Sequence, residues 1–167
     1  MGKTAENLKE AFAGESQANR RYIAFAQKAD KEGLPQVAKL FRAAAEAETV
    51  HALNHLRAMN GVAGTLENLK AASSGEAAEF KQMYPAFIEQ AKKDGDKAAQ
   101  RTFDYANQVE QIHHQMYNKA IGAVEGGGDL PRAELYVCQG CGNTVEGEPP
   151  DRCPICGAPK KMFKRID

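Results

Sequence analysis

Apolar residues recur at three- and four-residue spacing along four long stretches of the chain, which are residues 4–30, 36–60, 74–93 and 96–123. Only Pro85 interrupts any of these stretches, so each one predicts a long helix. Gly33-Leu34-Pro35 separates the first pair of helices, and Asp94-Gly95-Asp96 separates the second pair. Connections this short force neighbouring helices to run antiparallel, so the pattern predicts two helical hairpins.

The connection between the two hairpins is longer, from Gly61 to Ser73, and Ser73 is an expected N-cap of the third helix. An extended chain covers about 3.3 Å per residue, so this segment has the length to cross a bundle from end to end. We therefore predict a mainly α protein built on a four-helix bundle with one long crossover.

The two hairpins are related in sequence, because a shift of 62 positions superimposes one on the other. Between positions 22 and 58 the shift produces 11 identities, among them Tyr22 with Tyr84, Glu48 with Glu110, and His51 with His113. This self-similarity predicts a duplicated hairpin with a pseudo-twofold axis. Whatever one hairpin supplies to a site, the other is expected to supply as well.

The repeat carries a metal-ligand pattern. Glu48-x-x-His51 and Glu110-x-x-His113 each place a carboxylate and an imidazole on one helical face. The other two helices offer Glu15 and Glu76, which align with a slip of one residue. A Glu from each of two helices and a Glu-x-x-His motif from each of the other two form the carboxylate-bridged dimetal site of helical bundles. Glu residues on a solvated face explain one such motif, but two at the repeat distance favour a metal site for iron or manganese.

Three further residues accompany this set. Glu79 lies one turn after Glu76, and with it the five acids carry −5 against +4 for two ferrous ions or for two ferric ions with a bridging oxide. The ligand set therefore accommodates redox cycling with little change of charge.

Tyr22 and Tyr84 occupy repeat-related positions, either as core aromatics or as neighbours of the metal site.

A second module follows the bundle. We expect the bundle at residues 1–124, a glycine-rich linker at 125–134 and a small domain at 135–167. Two Cys-x-x-Cys-Gly knuckles in that domain predict one tetrathiolate metal site, and its ligands are Cys138, Cys141, Cys153 and Cys156. Tyr136 and Phe163 are expected to pack against it. Zinc and iron both fit four thiolates, so the spacing leaves the metal open.

Composition narrows the classes of function. Lys plus Arg and Asp plus Glu each total 22, so the balanced charge does not indicate a nucleic-acid or membrane-surface partner. No apolar run approaches the roughly 20 residues of a membrane span, and the clustered cysteines suit a reducing compartment, so we expect a cytoplasmic protein. No Gly-x-Gly-x-x-Gly turn follows a strand, so a nicotinamide site within the chain is not expected.

Both modules together resemble rubrerythrin, a ferritin-like diiron bundle followed by a rubredoxin-like domain. The resemblance implies two iron ions held by Glu15, Glu48, Glu76, Glu79, Glu110 and His113, with His51 as the histidine that exchanges with Glu79 when the oxidation state changes. It implies a third iron on the four cysteines and places Tyr22 and Tyr84 near the diiron site. The implied activity is reduction of hydrogen peroxide to water, within oxidative-stress defence.

The resemblance also implies partners. Electrons come from an external donor, a NAD(P)H-dependent reductase or a rubredoxin, and the subunits form a head-to-tail homodimer or a higher homo-oligomer. The long connection at residues 61–73 also leaves open an exchange of helical hairpins between chains. We expect the module to lie too far from the site of its own chain for fast electron transfer, because bundle helices of about 25 residues are some 37 Å long. Two other functions compete: iron oxidation and storage with a structural zinc ribbon, and a regulatory or scaffold protein with structural metals.

Overall fold

The computed structural model describes residues 2–167 as two groups of elements. The helical elements are α1 (Lys3–Lys31), α2 (Pro35–Ala58), α3 (Thr65–Ala78), a π-helical turn (Glu79–Met83), α4 (Tyr84–Asp94) and α5 (Lys97–Glu125). The strands are β1 (Leu135–Cys138), β2 (Thr144–Glu146) and β3 (Phe163–Ile166), with a 3₁₀ turn at Lys160–Met162. Among the described residues, no helix combines the length and the hydrophobicity that crossing a membrane requires.

Local sequence determines where the helices begin and end. Pro35 stands in the first turn of α2, where its missing N–H costs no hydrogen bond. Gly95 ends α4 with a φ of 70°, a left-handed conformation that glycine adopts without strain. Asp96 then caps α5, because its carboxylate accepts hydrogen bonds from the N–H groups of Ala98 and Ala99.

The third helix begins earlier than the sequence pattern predicted. It starts at Thr65, so the connection from α2 is residues 59–64 and not the thirteen residues from Gly61 to Ser73. Ser73 is not an N-cap: it is buried inside α3, and its hydroxyl donates a hydrogen bond to Asn118 Oδ1 of α5 at 2.7 Å. The side-chain partner on another helix removes the need for a backbone partner, which is why this serine does not end the helix.

The π-helical turn explains the one-residue slip in the repeat. Glu15 and Glu76 are 61 positions apart, whereas Tyr22 and Tyr84 are 62 apart, so one extra residue lies between Glu76 and Tyr84. The π turn occupies this interval, and the N–H of Tyr84 donates to the carbonyl of Glu79 five residues earlier. Pro85 follows directly and offers no N–H to the carbonyl of Lys81, which favours a local change of hydrogen-bond pattern.

The helices divide between two compact units, one ending at Ala63 and the other running from Gly64 to Asp167. The first unit is the hairpin of α1 and α2. Its buried surface is small side chains, chiefly alanine, which let the two helices approach closely: Ala18, Ala26, Ala29, Ala38, Ala45 and Ala52. The second unit contains the hairpin of α3 to α5 and the cysteine-bearing sheet.

The two hairpins repeat one aromatic arrangement. In the first, the ring centroids of Tyr22, Phe25 and Phe41 are 6.2, 6.3 and 5.5 Å apart. In the second, Tyr84, Phe87 and Phe103 form the same triad at 6.4, 6.3 and 5.5 Å. The near-equal spacings confirm the duplication that the sequence indicated.

The C-terminal module is a three-stranded antiparallel sheet in the order β2-β1-β3. Tyr136 of β1 lies opposite Val145 of β2 and Arg165 of β3. The core consists of Cys138, Cys153 and Phe163, with Tyr136 packed against it, as predicted. Such a small core needs a metal to stabilise it.

Candidate metal centres

The first hairpin brings three predicted ligands together. Nδ1 of His51 lies 2.9 Å from Glu48 Oε2 and 3.9 Å from Glu15 Oε1. Asn19 fixes the two helices at this level, because its Nδ2 donates to the carbonyl of Ala45 at 2.6 Å and to Thr49 Oγ1 at 2.7 Å. We define Glu15, Glu48 and His51 as the first half-site; one ligand atom from each lies within 4.8 Å of the others.

The second hairpin reproduces this geometry. Nδ1 of His113 lies 2.7 Å from Glu110 Oε2 and 3.9 Å from Glu76 Oε1, and these three residues form the second half-site. Each half-site therefore pairs an imidazole nitrogen with two carboxylates at nearly the same distances. Two carboxylates and one imidazole suit a divalent ion of iron or manganese.

A side-chain network supports the second half-site, where the first hairpin uses the hydrogen bonds of Asn19. Nδ1 of His114 lies 2.9 Å from the carbonyl oxygen of Ser73. Nε2 of the same ring lies 3.0 Å from Nδ2 of Asn118. The ring also packs against Phe80 of the π turn, at 5.6 Å between centroids. The network joins α3, the π turn and α5 next to the ligands. Sequence reasoning missed it, and the signal available was the second histidine directly after His113.

The second unit holds an excess of carboxylates that perturb one another. Burial, followed by the charge of Glu110, raises the pKa of Glu76 above its usual range, and the same two causes raise the pKa of Glu79. Glu79 stands outside the three-residue half-site but close enough to raise the pKa of Glu76. Clustered acids of this kind are costly without a cation, so their donor set fits a bound metal.

The two tyrosines differ in their surroundings. Tyr22 packs in the aromatic triad of the first hairpin. Burial raises the pKa of Tyr84, and the charges of Glu79, Glu110 and Glu76 raise it further, so its phenol stays protonated beside the acids.

The four cysteines converge as predicted. The Sγ atoms of Cys138 and Cys156 are 3.6 Å apart, those of Cys141 and Cys153 are 3.5 Å apart, and all four lie within 4.8 Å of one another. Sulfurs at about 2.3 Å from one tetrahedral ion are about 3.8 Å apart, so the arrangement fits a tetrathiolate metal and not two disulfides. Glycine suits position 140, since a Cβ there would make a tight contact of 3.1 Å with the Cys156 sulfur.

Polar groups donate to two of the four sulfurs, whereas burial raises the pKa of the other two thiols, Cys141 and Cys156. The N–H of Gly140 donates to Cys138 Sγ at 3.4 Å, and Nδ2 of the buried Asn143 donates to Cys153 Sγ at 3.7 Å. Burial opposes ionisation of Cys153, but hydrogen bonds from the backbone of Cys156 and Ile155 lower its pKa to about 7. Donors to sulfur are one of the means by which proteins tune tetrathiolate centres.

The cysteine module lies against α5 of its own chain. Nε2 of His113 is 2.9 Å from Thr144 Oγ1, and this hydroxyl donates to the carbonyl of Gly142 at 3.2 Å. Lys119 of α5 and Glu146 of β2 form an ion pair at 2.6 Å. The expectation that the module lies far from the metal ligands of its own chain is therefore wrong for the second half-site. The nine residues between α5 and β1 let the module fold back along α5, which a count of helix length alone did not consider.

Two family models match the chain: Rubrerythrin over residues 6–121 and the rubredoxin-like domain of rubrerythrin over residues 136–164. The chain belongs to the rubrerythrin family. Its fold class is accordingly a ferritin-like bundle followed by a rubredoxin-like domain, and its carboxylate and four-cysteine sites are those of an iron-binding rubrerythrin. Both conclusions confirm the sequence-based prediction.

Relatives of known name extend over nearly the whole chain. Rubrerythrin-2 of Clostridium acetobutylicum is 34% identical over 96% of this chain and 95% of its own length. Rubrerythrin of Porphyromonas gingivalis is 36% identical over 97% of this chain and 89% of its own length. Nigerythrin of Nitratidesulfovibrio vulgaris is 34% identical over 98% of this chain and 86% of its own length. A solved structure of nigerythrin in a mixed-valence state is 33% identical, covers 99% of this chain and 88% of its own, and has a TM-score of 0.58.

Proposed function

We propose that this rubrerythrin is a diiron peroxidase that reduces hydrogen peroxide to water, with electrons supplied through the four-cysteine iron. The contact between Thr144 and His113 carries the proposal, because it joins the electron-carrying module to a ligand of the peroxide-reducing site. In a storage protein with a structural zinc ribbon, the zinc ion transfers no electrons, so a contact between the ribbon and a metal ligand would not serve the function.

We propose that the two half-sites and Glu79 together hold one pair of ions. The ligands are Glu15, Glu48, His51, Glu76, Glu79, Glu110 and His113. When bound, the two ferrous ions supply the two electrons that convert H₂O₂ and two protons to two water molecules, and both ions become ferric. Glu79 would be the carboxylate that alternates with His51 as ligand: Glu79 stands outside the second half-site, and the side chain of His51 in the first half-site is 53% exposed.

The orientation of His113 follows from its partners. Thr144 uses its hydroxyl hydrogen on the Gly142 carbonyl, so it accepts the Nε2–H of His113. The lone pair of Nδ1 then points toward Glu76 and Glu110, which is the tautomer that a metal requires. Tyr84, whose pKa is raised, keeps its hydroxyl hydrogen and serves as a hydrogen-bond donor at the site, and Tyr22 takes the repeat-related position.

With iron bound, the four cysteines would hold a centre that accepts electrons from the external donor and passes them to the diiron site next to α5 of the same chain. An NAD(P)H-dependent reductase or a rubredoxin has the chemistry for this role, because a tetrathiolate iron accepts one electron at a time. We propose a homo-oligomer in the cytoplasm, where thiolates stay reduced. The cis contact replaces the head-to-tail electron route predicted from helix length.

The peroxidase activity is tested with iron-loaded protein under anaerobic conditions, a chemical or enzymatic reductant and hydrogen peroxide. We expect peroxide to be consumed at one molecule per two electrons, with no iron core formed when excess ferrous ion is added. Slow peroxide consumption together with accumulation of ferric iron beyond three ions per chain would instead indicate iron oxidation and storage. Three iron atoms per chain is the expected count, and zinc on the cysteines after iron-replete growth would contradict the electron relay.

A further inference from the structure

We propose that each dimetal site is shared by two copies of the chain, so that the α1–α2 hairpin of one copy packs against the α3–α5 hairpin of the other. The inference rests on the proposed function in one respect only, that both half-sites hold the same pair of ions. It assigns the ligands to two subunits and makes the site incomplete without the second copy.

The distance that a single chain has to cover follows from the helix bounds. A ferritin-like bundle has one connection that runs from one end of the bundle to the other. From Glu48 to the end of α2 at Ala58 is about 15 Å along the helix, and from the start of α3 at Thr65 to Glu76 is about 16 Å, at 1.5 Å per residue. If Glu48 and Glu76 bind the same ions, the connection therefore covers about 31 Å along the bundle.

The connection of this chain is too short for that distance. Six residues, 59–64, separate the two helices, and seven fully extended steps from Ala58 to Thr65 reach about 25 Å. The first part is not extended, since the N–H of Asn60 donates to the carbonyl of Arg57, and that of Gly61 to the carbonyl of Leu56, both at 2.9 Å. The available reach is shorter still, so a ferritin-like site has to draw its two hairpins from different chains.

The exposed surfaces of the single chain agree with this assignment. Phe25 is 46% exposed and Phe87 is 44% exposed, although both belong to the aromatic triads of the two hairpins. Apolar side chains next to metal ligands are expected to be covered in the assembled site. The occupant that fits is the other hairpin of a second copy, because it carries the matching triad and the complementary half-site.

Complementation between two defective chains tests the proposal. One chain carries Glu48→Ala, the other carries Glu110→Ala, and different affinity tags allow isolation of the heterodimer after co-expression. If hairpins are exchanged, one site of the heterodimer receives both substitutions and the other receives none. We expect about half of the wild-type Mn²⁺ binding in equilibrium dialysis, with peroxide turnover recovering in parallel, whereas each homodimer has no intact site.

The matched control pairs Glu48→Ala with His51→Ala, two substitutions in the same hairpin. Exchange then leaves one defect in every site, so this heterodimer is expected to bind as little Mn²⁺ as the homodimers. Failure of the first pair to recover Mn²⁺ binding, equal binding by both pairs, or absence of any heterodimer would overturn the proposal. Recovered Mn²⁺ binding without peroxide turnover would support the exchange and contradict the proposed peroxidase, so the two failures are distinguishable.

Discussion

The two ligand histidines, equivalent in sequence, have different environments. The side chain of His51 is half exposed, whereas that of His113 is 29% exposed and is bonded through Nε2 to Thr144. Only the imidazole next to the cysteine module is therefore oriented by a partner from that module. This asymmetry suits a site in which one histidine exchanges with a carboxylate and the other stays in place.

Replacement of Thr144 tests the orientation of His113. Thr144→Val keeps the shape but removes the hydroxyl, and we expect Mn²⁺ affinity and the rate of electron transfer from the reduced module each to fall about 10- to 100-fold. Thr144→Ser restores the hydroxyl and is expected to remain close to wild type. No loss in Thr144→Val together with a loss in Thr144→Ser, measured by dialysis and stopped-flow absorbance, would show that the methyl packing matters and the hydrogen bond does not.

The raised pKa of Glu79 predicts a pH-dependent effect on stability. Because its pKa in the folded protein lies above the unfolded value, ionisation of Glu79 at neutral pH disfavours the folded metal-free state. Metal-free Glu79→Gln is therefore expected to melt at a higher temperature than wild type near neutral pH. The difference should shrink as the pH falls through the folded pKa and vanish below the ordinary value of 4.5. Thermal unfolding followed by circular dichroism measures both.

The control for this prediction is Glu89→Gln, which changes an exposed acid of α4 that pairs with Lys92. It should give no gain in melting temperature at neutral pH.

In the metal-loaded enzyme Glu79→Ala is expected to retain a dimetal site on the other six ligands while slowing peroxide turnover. Unchanged turnover would place Glu79 on a solvated face without a role.

Among the secondary-structure elements, the π-helical turn distinguishes the second hairpin from the first. It adds one residue between Glu76 and Tyr84, so the half-site and the aromatic triad keep the same relative positions as in α1. It also carries Glu79, the acid that has no counterpart in the first half-site. An inserted residue and an additional proposed ligand thus coincide, as is common for π turns at functional sites.

Single-residue deletions test this account of the π turn. Deletion of Lys81, which is exposed in the turn, allows a continuous α-helix without moving Glu76 relative to Tyr84, so we expect a folded protein with a modestly lowered melting temperature. Deletion of Arg20, the matching position of α1, rotates Tyr22 and Phe25 by about 100° relative to Glu15 and should abolish cooperative unfolding of that hairpin. Equal destabilisation by the two deletions would contradict the insertion model.

The sequence predicted the hairpins and the half-sites correctly where local signals alone determine the structure. Periodicity and the turns at Gly33 and Gly95 located both hairpins, and the Glu-x-x-His motifs located the half-sites, because spacing on a helix decides which side chains are neighbours. Tertiary partners caused the errors. Ser73 has the chemistry of an N-cap, and only the structure shows that Asn118 accepts from its hydroxyl. Likewise, no sequence pattern around Thr144 indicates that its hydroxyl contacts His113, 31 residues earlier in the chain.

For the molecule as a whole, we expect the cysteine module to need the ion on its four sulfurs in order to fold, and the helices to form without that ion. Its core holds two of the four cysteines, so loss of the ion removes both a covalent centre and its packing. Cys138→Ala with Cys141→Ala is expected to abolish the dispersed amide NMR signals of residues 135–167 while retaining the helical circular dichroism. Retention of those signals would mean that the sheet folds without metal.

The most direct test of the peroxidase account follows the colour of the four-cysteine iron. Fully reduced, iron-loaded protein is mixed anaerobically with hydrogen peroxide in a stopped-flow instrument, beside Glu48→Ala/Glu110→Ala protein, which keeps the module and lacks one carboxylate in each half-site. We expect the ferric-thiolate absorbance to return rapidly in the wild type and far more slowly in the variant, because peroxide takes electrons at the diiron site and the module then re-reduces that site. Equal rates in both proteins, or a wild-type module that stays reduced in the presence of peroxide, would contradict it.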